Sequence, residues 1–157
     1  HGNNHYVSIV GRRQYSHFPK DIQLFQGDIR DLDFQPCSVV TLNFTLQFLP
    51  PKDRSTLLQK INDALLPGGV LILSEKICFE DKTEQSHLEE LHWLFKKANG
   101  YSDLEVSQKR SALEQVLLPD TLEQHQNRLN KVGFDSTHLW YQRFNFMSLI
   151  AFKEPEQ

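Results

Sequence analysis

SVVTLNF, residues 38–44, and VLIL, residues 70–73, are runs of branched apolar residues. Each fits a strand covered on both faces of a parallel sheet. Between them Leu57, Leu58, Ile61, Ala64 and Leu65 recur at helical spacing. Pro50 and Pro51 can open that helix, because proline is tolerated at the first helical position. Pro67-Gly68-Gly69 closes it. Strand, helix and strand joined by turns this short make a βαβ unit. Its strands run parallel and its crossover is right-handed.

Downstream, three helical stretches are expected across residues 80–132. In the first, Leu88, Leu91, Leu94, Phe95 and Ala98 share one face, and Gly100 stops it. The second runs roughly from Leu104 to Leu117. The third begins at Asp120, with Glu123 three residues on as a capping box, and ends at Gly133. Thr137–Arg143 and Phe146–Lys153 are strand-like and almost adjacent, which forces an antiparallel hairpin. Upstream, Ile22–Gln26 reads as a short strand ending at the turn pair Gly27-Asp28. In residues 1–20 only Tyr6–Val10 look strand-like. The expected fold class is α/β: one domain over 1–157, a mostly parallel sheet, an antiparallel C-terminal hairpin and a helical insertion over 80–132.

Composition narrows the function. The chain has 157 residues, enough for one core, with 39% apolar and 24% charged residues. Net charge is −3, and the basic residues come in short local pairs such as Lys96–Lys97 and Lys109–Arg110. That disfavours gripping DNA or RNA directly. Two cysteines, Cys37 and Cys78, are too few for a disulfide framework and fit a reduced, cytoplasmic setting. No apolar run reaches the length of a membrane span, and no signal peptide opens the chain. The seven histidines show no metal spacing: His87 and His92 are off a shared helix face. Ser74 and Ser111 have no evident base partner, so no metal or nucleophile triad is expected.

Open parallel sheets bind ligands beyond the carboxyl ends of their strands. Those positions carry Gly27-Asp28-Ile29-Arg30, Asn43-Phe44-Thr45 and Ser74-Glu75-Lys76. Asp28 can accept from an exocyclic amine while the Ile29 N–H donates to a ring nitrogen, which suits an adenine edge. Asp28 can equally be a turn residue capping the backbone that follows, its commoner role. Asn43 ends an apolar strand, so its amide either ties down a loop or faces a ligand. Glu75 and Lys76 read first as a local ion pair at the sheet edge. Arg110 has the planar fork for a carboxylate clamp, although a lone arginine more often lies on a solvated helix face.

Three groups of motifs carry a family resemblance. They are GDIRD (27–31) with LNFTLQFL (42–49), PGG (67–69) with LSEK (73–76), and KANGYS (97–102) with SQKRS (107–111). LWYQ (139–142) with FNF (144–146) adds a further match. Together they resemble the carboxy-S-adenosyl-L-methionine synthase family, on the Rossmann-like class I methyltransferase fold. The resemblance runs from about Asp28 to Lys153. PGG before a strand is weak by itself; LNFTLQFL and ANGYS with SQKRS are specific. It implies a transferase that takes S-adenosyl-L-methionine (SAM) as substrate, with prephenate as its partner substrate and no metal. Carbon dioxide from prephenate is captured by the sulfonium methyl carbon as an ylide, giving carboxy-SAM and phenylpyruvate. The product serves wobble-uridine modification of tRNA. By motif match Asp28 and Ile29 hold the adenine and Asn43 faces the cofactor near its centre. Arg110 takes the new carboxylate, where a fixed cation favours the carboxylated form. The resemblance also implies a homodimer, with the insertion as a dimer element.

The family pattern starts upstream with a strand, a glycine-rich loop and an acidic residue for the ribose. Gly11 stands alone and residues 1–20 do not match, so the chain is expected to be N-terminally truncated and incomplete. Two other readings follow: an ordinary SAM-dependent methyltransferase, or a non-catalytic dimerisation fragment.

Overall fold

A computed structural model of the chain describes residues 27–105 and 116–155. It falls into two compact units that divide between Asp33 and Phe34. In the first, Asp28 caps a short 3-10 turn, Ile29–Asp31. The expected strands at Tyr6–Val10 and Ile22–Gln26 lie outside the described residues.

The second unit is a sheet with helices. Its elements are β1 (Cys37–Asn43), α1 (Pro51–Ala64), β2 (Leu65–Lys76), α2 (Lys82–Ala98), α3 (Leu122–Lys131), β3 (Ser136–Arg143) and β4 (Phe146–Phe152). The strand order is β1-β2-β4-β3. β1 and β2 pair in parallel, from Val39 against Val70 to Asn43 against Ser74. β4 is antiparallel to both β2 and β3. The βαβ unit and the C-terminal hairpin are therefore as the sequence predicts. Among the described residues the sheet is mixed, with one parallel and two antiparallel pairings.

One sheet face holds the core. Leu71, Leu73, Met147, Leu149 and Ala151 are buried, together with Leu57, Leu58 and Ile61 of α1 and Leu129 of α3. Each apolar side chain of this size contributes about 1.5–3 kcal/mol on burial. The opposite face differs from the expectation of a sheet covered on both sides. Val39 is 55% exposed, and Val70, Ile72 and Ile150 are only half-buried.

Three local differences have physical causes. β2 begins at Leu65, before Val70: α1 already ends at Ala64, Leu65 is extended, and the Pro67-Gly68-Gly69 segment pairs as strand. Gly68 N–H donates to Lys153 O at 2.8 Å, and Lys153 N–H donates to Gly69 O at 2.9 Å. The capping box of α3 is Thr121 with Gln124, one residue later than expected. The segment DTLEQ holds both frames, and Asp120 is drawn away by Arg54 and Arg128. α2 is the expected first helix, capped by Asp81, but none of its residues is buried, and Leu91, Leu94 and Phe95 remain exposed. Of the expected second helix, residues 106–115 are outside the described set. Gly133 ends α3 at φ +95°, where a side chain would be strained and would meet the Asn62 amide at 2.8 Å.

Candidate functional site

β1 and β2 end side by side, and the residues after them build the site. Asn43 closes β1, and Phe44 turns the chain at φ +53°. A left-handed backbone is costly for a phenylalanine and persists only when its surroundings hold it. Phe44 N–H donates to Ser74 O at 2.7 Å. A short 3-10 turn, Leu46–Phe48, follows, and Thr45 before it offers no side-chain cap. Instead Thr45 donates its hydroxyl to Asn43 O at 3.2 Å.

Glu75 supplies the missing cap from the neighbouring strand. Its carboxylate accepts Thr45 N–H at 3.0 Å, Leu46 N–H at 2.8 Å and Gln47 N–H at 3.2 Å. The orphan donors at the start of a turn are thus satisfied by a residue some thirty positions away. Gln47 answers by accepting Lys76 N–H at 2.9 Å. Glu75 is fully buried, and burial pushes its carboxyl up to about 7, against the pull of three N–H donors and the Arg54 charge. The expected Glu75–Lys76 surface ion pair is therefore overturned. Successive strand residues point to opposite faces, and Glu75 lies on the buried one.

The other face carries a polar row. Asn43, Ser74, Ser148 and Tyr141 stand in register across β1, β2, β4 and β3. The Ser74 and Ser148 hydroxyls are 2.9 Å apart, and the Trp140 indole N–H donates to Ser148 Oγ at 2.8 Å. Asn43 is exposed, because its neighbour Leu42 takes the core face.

A buried ion cluster braces the loop from below. Arg54 is 0% exposed. It donates to Leu49 O at 3.1 Å, to Leu118 O at 2.8 Å and to Asp120 Oδ2 at 2.5 Å. Arg128 meets the same Asp120 oxygen at 2.7 Å. Burial alone would raise the Asp120 carboxyl, but the two guanidinium groups outweigh it and hold it below its usual range. His125 is buried beside them, and burial lowers its pKa to about 4. Leu118 N–H donates to Gln47 O at 2.9 Å, so the chain returning from the insertion is tied to the loop after β1. Leu57, Leu58 and Ile61 announce the buried stripe of α1 in the sequence. Arg54 sits three residues before it on the same face, which was the available signal for its burial.

α2 meets the hairpin through aromatic groups. His92 lies 5.0 Å from the Phe146 ring and 6.1 Å from Phe144, and Arg143 covers Phe95 at 4.2 Å. Burial, with Lys96 and Lys76 nearby, lowers the His92 pKa to about 4.

In the first unit the Asp28 carboxylate accepts Arg30 N–H at 2.9 Å and pairs with the Arg30 guanidinium at 2.6 Å. It is therefore a cap, and both of its carboxylate oxygens are engaged by Arg30. Ile29 is buried. Arg110 lies outside the described residues. An open groove of about 400 Å³, lined by Cys78, Phe79, Glu84, Thr121 and Gln142, holds none of Asp28, Ile29 and Asn43. The described residues contain no group of three or more His, Cys, Asp or Glu that could hold a metal ion. No helix among them is long and apolar enough to cross a membrane.

Comparison with known proteins gives this geometry a family. A methyltransferase-domain family matches residues 5–73, beginning upstream of the motifs quoted above. The chain is 62% identical over 133 residues, 85% of its length, to a carboxy-S-adenosyl-L-methionine synthase of Shewanella baltica. It is 59% identical over the same length to one from Shewanella sp. strain MR-4. It spans about half, 55%, of the length of these relatives. Among solved structures, human N-acetylserotonin methyltransferase in complex with SAM superposes over 89% of this chain and 36% of its own. The TM-score is 0.58 at 17% identity. The pyocyanin biosynthetic protein PhzM covers 81% of this chain and 33% of its own, with TM-score 0.57 at 16% identity. These likenesses show the fold. By sequence this chain belongs to the carboxy-S-adenosyl-L-methionine synthase family, and its fold is that of the class I methyltransferases.

Proposed function

We propose that this chain is part of an enzyme that converts SAM and prephenate into carboxy-SAM and phenylpyruvate. The observation that carries the reading is the 62% identity to relatives named for making carboxy-SAM. The geometry is compatible with it. An exposed amide, Asn43, stands at the carboxyl end of a parallel strand pair, where this architecture takes its ligands. In this reading Asn43 faces SAM near its sulfonium centre, and Asp28 and Ile29 take the adenine. Arg110 binds the new carboxylate, and no metal takes part. The product is used in wobble-uridine modification of tRNA by a partner enzyme, in the cytoplasm. This chain itself neither grips nucleic acid nor enters a membrane.

Calorimetric titration of the chain with SAM and with carboxy-SAM, alongside Arg110→Ala, tests the site. Carboxy-SAM is expected to bind more tightly, and the substitution to remove that preference, by about thirtyfold or more for a lost charge partner. Equal affinity for both ligands in the unaltered chain favours an ordinary methyltransferase, which has no use for a carboxylate clamp. Binding of neither counts against any cofactor site in this chain and leaves the dimerisation fragment.

The partner expected for the insertion is a second copy of the chain. α2 exposes Leu91, Trp93, Leu94 and Phe95, an apolar group large enough to want a cover. Sedimentation velocity should show a dimer at micromolar concentration. A monomer there would set this reading aside.

A further inference from the structure

We infer that Glu75 is the positioning residue of the ligand edge: through three backbone N–H groups it fixes the loop that presents Asn43. The inference rests on the reading that Asn43 faces SAM.

Three observations carry it. First, the loop has no cap of its own, since Thr45 does not cap and Phe44 is held at φ +53°. Second, Glu75 reaches Thr45, Leu46 and Gln47 at 2.8 to 3.2 Å, and Gln47 returns a bond to Lys76. The contact closes in both directions between the end of β1 and the end of β2. Third, Glu75 is fully buried, where a carboxylate is tolerated only with its donors in place. A hydrocarbon of the same size would fill the space but leave three N–H groups unsatisfied. The loop would then be free to relax Phe44 out of its left-handed backbone, and Asn43 beside it would lose its fixed direction.

Glu75→Gln separates positioning from packing. It keeps the shape but offers one carbonyl oxygen, and its NH₂ group cannot accept the third N–H. Five proteins are compared by calorimetry with SAM: the unaltered chain, Glu75→Gln, Asn43→Ala, their double variant and Leu129→Ala. Leu129→Ala in α3 serves as a stability control. Amide exchange at Thr45, Leu46 and Gln47 is followed in each.

The expected result is an affinity loss of about tenfold or more in Glu75→Gln with faster exchange at those amides. Asn43→Ala should lose affinity while its loop amides stay protected. The double variant should bind no worse than Asn43→Ala, because Glu75 acts through Asn43. Leu129→Ala should bind like the unaltered chain. If Glu75→Gln exchanges faster yet binds normally, or if Leu129→Ala loses as much affinity, the inference is overturned while the SAM site stands. Full additivity in the double variant overturns it too. If the unaltered chain binds no SAM, the functional reading fails first and takes the inference with it.

Discussion

Arg54→Met should cost about 3–5 kcal/mol of folding stability, a large part of what a domain of this size has. The side chain is fully buried, and its loss leaves Leu49 O and Leu118 O without their donor. It also leaves Asp120 facing Arg128 alone. Methionine fills much of the volume, so the penalty comes from stranded polar groups rather than from a cavity. Asp120→Leu in the Arg54→Met background should add to the loss, because it strands the Arg128 guanidinium that Asp120 still pairs. Urea unfolding of the unaltered chain and the two variants measures both effects. A loss below about 1 kcal/mol for Arg54→Met would mean that water reaches the cluster and replaces the guanidinium.

Most of the fold is legible in the sequence because its periodicities are plain. α1 shows its buried stripe, SVVTLNF and VLIL show their strands, and the tight Arg143–Phe146 connection dictates a hairpin. The misread residues are those whose partners are distant in sequence. Glu75 looked like a partner for Lys76, but its donors come from the end of β1. Strand alternation from Leu71 through Leu73 already placed it on the core side, and that signal outranks adjacency. The sequence allows Asn43 either to tie down a loop or to face a ligand, and the same alternation sets it opposite Leu42, on the exposed side. The frame of the α3 capping box could not be chosen from DTLEQ alone. Only the fold brings Arg54 and Arg128 to Asp120 and leaves Thr121 to cap. The expected site is legible only in part. Asn43 stands exposed at the carboxyl end of β1, Asp28 is engaged as a cap, and Arg110 rests on motif match.

His125 should make this protein acid-sensitive in a window that can be assigned. Burial lowers its pKa to about 4 from 6.5; Asp120 opposes the shift, and Arg128 and Arg54 add to it. The ring is buried and its Nδ1 has no hydrogen-bond partner, so the folded state accepts it only when neutral. The unfolded chain therefore binds a proton between pH 6.5 and 4 that the folded chain does not. Stability rises with pH across that window and is lost as pH falls through it, by about 1.4 kcal/mol per unit for one such group. His92 acts in the same direction but is partly exposed and contributes less. Glu75 acts the other way: its raised pKa lets the folded state hold a proton between about 4.5 and 7, which favours folding on acidification. The contribution of His125 is isolated by comparing the unaltered chain with His125→Gln at pH 7, 5.5 and 4. The stability difference between the two should shift by about 3 kcal/mol toward the variant from pH 7 to pH 4. A difference that stays constant with pH would show that His125 titrates as it does in the unfolded chain, and that its surroundings admit the charged ring.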